Sequence, residues 1–299
     1  MFFFKLPPLS WLIMSSLCIW GLVGISAYQY TSEFSSEYRI HFLKVALGDA
    51  TLIQTPVGKN ILIDTGSQEE IIQRLPKFLS TFSKNIDLLI LSHNDEDHIG
   101  GSVAILKRFH VGEIFLLNTD KPTAIFQTFL QTAQAQKIPI IFPKSPQVYA
   151  LDASTRMEYE FPLAVDACKS NPSWCSFFTN DSQVFRLSIF GQNILFTGDI
   201  ETPQENTILL TGQSLSAPVL KVAHHGSKTS SSALFLDAVH PQFAVAMASI
   251  PNKFGHPHKE VIERIQEKHI TFLQTGKVGD VSFCVGEINP VIHRCDNPL

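Results

Sequence analysis

Apolar and polar positions divide the chain into short blocks whose period switches between strand and helix. Residues 40–45, 51–55 and 61–64 read as strands, separated by turn signals at Gly48-Asp49 and Pro56-Val57-Gly58. Ser67 is placed to cap a helix running towards Phe82, with Glu69 and Glu70 in its first turn. An apolar strand that includes Ile86 and Ile90 then runs to Ser92. Gly100-Gly101 is expected to open a helix to about Phe109, followed by a strand at 113–117, a helix at 123–136 and a strand at 138–142. Residues 143–180 carry several prolines and little periodicity apart from 156–161, and read as a surface excursion near a site. A second run of strands is predicted at 184–189, 193–197, 218–222, 243–247, 271–273 and 281–285. Helices at 203–210, 231–239 and 259–268 fall between them. Two strand-rich halves, each with helices, predict an α/β domain built as a four-layer αββα sandwich.

The first thirty residues are of a different material. No charge occurs between Lys5 and Glu33, and residues 9–27 are almost unbroken in apolarity. That length is close to a membrane-spanning helix and slightly long for the core of a signal peptide. Residues 1–30 are therefore expected to form an N-terminal apolar helix, either an uncleaved membrane anchor or a cleaved signal. Both readings put the rest of the chain outside the cytoplasm, in the periplasm or at the cell exterior. A polar linker at 31–38 would then lead into one domain at 39–299, with no repeat or further domain evident.

Composition narrows the functions available. The 299 residues are 44% hydrophobic with a formal charge of −4, which excludes a molecule whose whole surface binds nucleic acid electrostatically. A local basic groove stays open, because Lys221, Lys228, Lys253 and Lys259 fall near the two histidine-rich segments described next. Ordinary solvated surface is the competing reading for these lysines. Outside the apolar segment there are four cysteines, Cys168, Cys175, Cys284 and Cys295. Of three possible pairings the short-loop one, Cys168–Cys175 with Cys284–Cys295, is the simplest. A cysteine zinc site would need close Cys-x-x-Cys pairs, which are missing.

The candidate chemistry is concentrated at the end of the strand near Ser92. That strand delivers His93, Asp95, Asp97 and His98 into one loop closed by Gly100-Gly101. In an extended segment alternate residues point the same way, so His93, Asp95 and Asp97 are expected to converge with His98 beside them. Imidazole and carboxylate are ligands for Zn²⁺ and Mn²⁺. Asp199 ends another strand just after Gly198. His224-His225 follows an apolar strand, where neighbours face opposite ways, so only one histidine should reach a metal; His225 is taken as that ligand, with His224 supporting it or meeting substrate. Ser227 and Thr229 are candidates to cap the next helix and to contact an oxyanion. His256 and His258 lie in a later Gly-His-Pro-His loop.

The pattern His-x-Asp-x-Asp-His resembles the signature loop of the metallo-β-lactamase fold, whose usual form is His-x-His-x-Asp-His. The aspartate form is similar to the hydrolase domain of ComEC-type DNA-uptake proteins and to some choline-phosphate esterases of cell walls. Further strings follow in that family's order: residues 45–50, 62–66 around Asp64, 195–199, 219–227 and 255–258. The resemblance implies the same αββα architecture and two divalent metal ions, Zn or Mn, held by His93, Asp95, Asp97, His98, Asp199 and His225. Asp199 would bridge the ions, Asp97 would also orient a metal-activated water, and His256 would contact the transition state. Asp64, Asn180, His224, Ser227 and His258 would support the site or meet substrate. Asp95 stands where the family commonly has histidine, and no histidine lies between His110 and His224, which leaves the first metal position rich in oxygen. The implied activity is metal-assisted hydrolysis of a phosphodiester, possibly DNA. Hydrolysis of a wall phosphocholine ester or a lactam, and a non-catalytic binding module, are the alternatives. Nothing in the sequence points to a specific protein partner.

Overall fold

A computed structural model describes residues 37–67, 69–79, 84–117, 123–161, 182–288 and 290–295. The apolar segment at 1–30, Asn180, Cys168 and Cys175 lie outside the described residues. Among the described residues no helix is long and apolar enough to cross a membrane.

The elements run β1 (Glu37–Phe42), β2 (Thr51–Gln54), β3 (Asn60–Ile63), α1 (Ile71–Arg74), β4 (Asn85–Leu91), α2 (Glu96–Ile99), α3 (Ser102–Arg108), β5 (His110–Leu116), α4 (Ala124–Ala135) and β6 (Ile140–Ile141). They continue through β7 (Val148–Ala150), β8 (Thr155–Phe161), β9 (Val184–Ile189), β10 (Gln192–Phe196), α5 (Thr202–Leu210), β11 (Val219–Lys221), α6 (Ala233–Val239) and β12 (Phe243–Ala246). The last are α7 (Lys259–Glu267), β13 (Thr271–Gln274), α8 (Thr275–Val278), β14 (Val281–Gly286) and β15 (His293–Arg294). One sheet has the order β15-β14-β1-β2-β3-β4-β5-β6 and the other β13-β12-β11-β10-β9-β8-β7.

Side-chain alternation along the central strands produces the layers. On β4, Leu88 and Ile90 enter the core between the sheets, while Leu89 and Leu91 enter a second core shared with α1 to α4. On β10, Ile194 and Phe196 face the first sheet, and Leu195 faces α5, α6 and α7. Each sheet is thus apolar on both faces, which fits the near-continuous apolar runs of its central strands. Helix, sheet, sheet, helix is the result.

Several boundaries differ from the sequence expectation. The helix predicted from Ser67 to Phe82 is only α1 plus a 3₁₀ turn at Leu75–Lys77, because Pro76 has no N–H to continue an α-helix; Phe82 is outside the described residues. The supposed excursion after Pro143 contains β7 and β8, a hairpin that completes the edge of the second sheet. The first strand begins at Glu37, inside the expected linker. Cys284 and Cys295 are paired, with their Cα atoms 5.6 Å apart.

Candidate metal centre

The ends of β3, β4, β10 and β11 meet at one edge of the sandwich, and each contributes to a polar cluster. The loop after β4 does not stay extended. Asp95 has extended backbone angles and stands at the N-cap of α2, so Asp97 and His98 project from the first turn of a helix. Acidic residues favour that turn because the unpaired N–H groups there carry partial positive charge. Alternation along a strand therefore does not apply beyond Leu91. Asp97 turns inward, while the Asp95 side chain remains 64% exposed.

His98 is the most enclosed of the group. Its Nδ1 is 2.9 Å from Asp64 Oδ2, and Asp64 also accepts from the backbone N–H and the hydroxyl of Ser92, each at 2.7 Å. That contact fixes the ring with Nε2 towards Asp199 Oδ1, 3.2 Å away. A carboxylate behind a histidine is the arrangement that orients imidazole ligands to metals. His93 is held through Nδ1 by the hydroxyls of Ser92 and Ser182, at 2.9 and 3.3 Å. Its Nε2 lies 3.6 Å from Asp95 Oδ2 and 4.0 Å from Asp199 Oδ2.

His224 and His225 come not from a strand but from a 3₁₀ turn, Ala223–Gly226, and both have left-handed backbones (φ 48° and 53°). Such angles are costly for residues with a side chain and persist where the surroundings enforce them. His225 Nδ1 is 2.9 Å from the Met247 carbonyl, and its Nε2 is 3.1 Å from Asp97 Oδ2 and 3.3 Å from Asp199 Oδ2. His224 sits on the rim, 30% exposed, with Nδ1 3.3 Å from Glu201 Oε1. Neighbours on a strand face opposite ways, but β11 ends at Lys221 and both histidines lie beyond it.

Two residues in the cluster were not read as site residues from sequence. Asp49 is buried, 3.2 Å from His225 Nδ1 and 3.8 Å from His98 Nδ1. Gly48 brings it there: at φ +89°, a Cβ on Gly48 would stand 1.6 Å from the Asp97 carbonyl oxygen. Lys221, whose competing reading was solvated surface, is instead buried. Its ammonium pairs with Asp49, lies 3.5 Å from Asp199 Oδ1 and donates to the Gly198 carbonyl at 2.9 Å. The signal was present, since a single lysine inside the apolar run 219–223 has nowhere to go but a buried counter-charge.

The donors suit a divalent cation. Asp49, His98, Asp199 and His225 offer ligand atoms all within 4.8 Å of one another. His93 Nε2, His98 Nε2, Asp49 Oδ1 and Asp199 Oδ1 are buried without a hydrogen-bond partner among the described residues. Lone pairs that converge without hydrogen bonds are what a metal ion would use. Asp64 holds His98 Nδ1, and the Met247 carbonyl and Asp49 meet His225 Nδ1, whereas the two Nε2 atoms turn towards Asp199, with Asp97 beside His225. His98, His225, Asp97 and Asp199 would thus hold one ion, with His93, Asp95 and Asp199 beside it for a second. Such an ion acidifies a bound water and supplies hydroxide near neutral pH.

The electrostatics follow. Burial pulls the His98 pKa down, but Asp199, Asp64 and Asp49 outweigh it and hold it well above the usual imidazole range. His225 behaves alike through Asp199 and Asp49. Burial raises the Asp97 carboxyl, yet His225 and His98 bring it well below the usual carboxylate range. His256, edge-on to His224 at 5.5 Å and stacked on His225 at 6.3 Å, is lowered to about 4 by burial and by those rings. It is neutral at pH 7 and available as a hydrogen-bond partner at the rim.

The supporting residues divide. His258 Nδ1 accepts from the Lys228 N–H at 3.2 Å and so ties two loops together. Ser227 bonds to Thr229 (2.9 Å), and Thr229 bonds to Glu201 (2.6 Å), so neither hydroxyl caps the next helix. Ser232 does, accepting from the Phe235 N–H at 3.3 Å.

A family model described as the metallo-beta-lactamase superfamily matches residues 43–124, the stretch containing Asp49, Asp64 and the His93–His98 loop. The "ComE operon protein 3" of Bacillus subtilis (strain 168) is 26% identical over 83% of this chain and 33% of its own length. The "Competence protein ComA" of Neisseria gonorrhoeae is 28% identical over 89% of the chain and 35% of its own length. The chain thus spans about a third of these relatives. Among solved structures, the metallo hydrolase Igni18 of Ignicoccus hospitalis superposes with a TM-score of 0.52 at 14% identity, covering 83% of this chain and 98% of that one. CmlA, a diiron β-hydroxylase from Streptomyces venezuelae, reaches 0.50 at 11% identity, over 80% of this chain and 53% of that one. The chain has the metallo-β-lactamase fold, and over most of its length its sequence is similar to competence proteins.

Proposed function

We propose that the chain is an exported metal-dependent phosphodiesterase whose substrate is a nucleic acid, DNA before others. The observation that carries this reading is the buried ligand cluster opening into a polar cavity of about 340 Å³ lined by Asp95, Asp97, Asp199, His224, His225 and His256. Divalent metal held there by His98, His225, Asp97 and Asp199 would offset the negative charge that builds on a phosphoryl group under attack by hydroxide. Similarity over most of this chain to competence proteins favours nucleic acid within the phosphodiester class. In this reading Asp97 orients the nucleophile and neutral His256 hydrogen-bonds a phosphoryl oxygen or the leaving group. The residues at 1–30 either anchor the domain or direct its export.

The test is hydrolysis of bis-nitrophenyl phosphate and of single-stranded DNA by the purified chain, with Mn²⁺ or Zn²⁺ and again after chelation. Cleavage of both substrates that disappears on chelation is expected. Activity only on a choline-phosphate ester or a lactam would move the assignment. Full activity in the metal-free protein would overturn it.

A further inference from the structure

Phe254 is 51% exposed at the mouth of the catalytic cavity, and its loop is not free to fold it away. The Asn252 side chain accepts from the N–H groups of Phe254 (3.2 Å) and His256 (2.9 Å) and donates to the Ser249 carbonyl at 2.8 Å. The phenyl ring stacks on His256 at 5.6 Å and 23°, and His256 in turn lies 6.3 Å from His225 at 27°. Three near-parallel rings therefore lead from the ligand cluster to the rim. The Lys253 ammonium stands 4.7 Å from the centre of the Phe254 ring. Half-buried Leu47 also lines the cavity.

We infer that Phe254 is a specificity-determining residue that stacks an unpaired base next to the scissile phosphate, with Lys253 pairing the adjoining phosphate. This rests on the phosphodiesterase reading above and narrows the substrate to a single-stranded polynucleotide. In a duplex both faces of each base are already stacked, whereas a single strand presents them to an aromatic platform. Lys253 occupies a face of the ring in the free protein. An arriving base takes over that face, and the flexible lysine stem swings its charge to the strand. The exchange suits a cavity floor that is acidic, where a polyanion needs both metal and lysine to enter.

The experiment is fluorescence anisotropy of the Mn²⁺-loaded full chain with a short phosphorothioate oligonucleotide, which is cleaved slowly. Phe254→Ala should weaken binding about five- to a hundredfold, and Phe254→Trp should restore it. On a strand of the same length made entirely of abasic units, Phe254→Ala and the native chain should bind equally. Lys253→Ala should lower the slope of log affinity against log salt by about 0.7. Binding by Phe254→Ala within twofold of native, or an equal loss on the abasic strand, would overturn the inference. Phe254-dependent binding with no cleavage of unmodified strands would instead refute the phosphodiesterase reading and leave the platform standing.

Discussion

Lys221 carries the sharpest stability prediction. Lys221→Met keeps the length of the side chain and removes the ammonium that sits among Asp49, Asp199 and the Gly198 carbonyl. Burial opposes the charge on Lys221, yet Asp49 and Asp199 raise its pKa, so the native residue is a fully charged cation enclosed by anions. Breaking a buried pair by removing one partner costs about 3–5 kcal/mol, because the carboxylate left behind stays desolvated. Asp49 keeps His225 and Asp199 keeps His98 and His225, which places the loss at the lower end. About 3 kcal/mol in a domain of this size lowers Tm by roughly 6–12 °C. The assay is thermal unfolding with chelator and again with saturating Mn²⁺ or Zn²⁺. A bound cation would compensate the same carboxylates, so the deficit should shrink when metal is present. A Tm within about 2 °C of native in chelator, or a deficit that grows with metal, would refute the idea that Lys221 balances this cluster.

Asp97→Ala should reduce phosphodiester hydrolysis roughly a thousandfold and Asp95→Ala much less, because Asp97 contacts His225 while Asp95 stands largely in solvent; steady-state rates with bis-nitrophenyl phosphate decide it. Buried His41, 2.7 Å from the Ser282 hydroxyl, has its pKa lowered to about 4, chiefly by burial. The unfolded chain takes up that proton below about pH 6.5, so stability is full above 6.5 and falls by about 3 kcal/mol towards pH 4. Denaturant titrations of native and His41→Asn protein across that range should show a shallower fall in the variant; parallel curves would refute it. Thiol labelling without reductant should leave Cys284 and Cys295 unmodified, as their pairing at 5.6 Å between Cα atoms requires. A reporter fused after Leu299 should be active only outside the cytoplasm.

What was legible in the sequence depended on whether a signal was local. Central strands such as β4 and β10 were readable because both faces are buried, and an apolar run bounded by turn residues then has few alternatives. The hairpin of β7 and β8 was only half visible, since its pairing is set by the sheet edge it completes. Within the site, His93, Asp97, His98, Asp199 and His225 stood out by type and spacing, and the fold gathers them at one edge. How each points was not local information. Asp97 turns inward because the loop coils into a helical turn at Asp95, and His224 and His225 diverge because their backbone is left-handed.

Asp49 and Lys221 show the remaining gap. Asp49 looks unremarkable in its own segment, a turn aspartate, and the lysine in the apolar run 219–223 calls for a counter-charge without naming it; the pair forms only when β11 and the turn before β2 are brought together in the fold. Their pairing in turn explains why the cluster stays buried. Asp49, Asp64, Asp97 and Asp199 bring four carboxylates against the three enclosed imidazoles of His93, His98 and His225, and without Lys221 that excess of negative charge would favour water entry over packing. The lysine pairs with Asp49 and stands beside Asp199, while the Nε2 atoms of His98 and His225 turn towards Asp199, with Asp97 beside His225. Positioning of the ligands and compensation of their charge are thus one arrangement. The order of the strands, rather than any single motif, creates it.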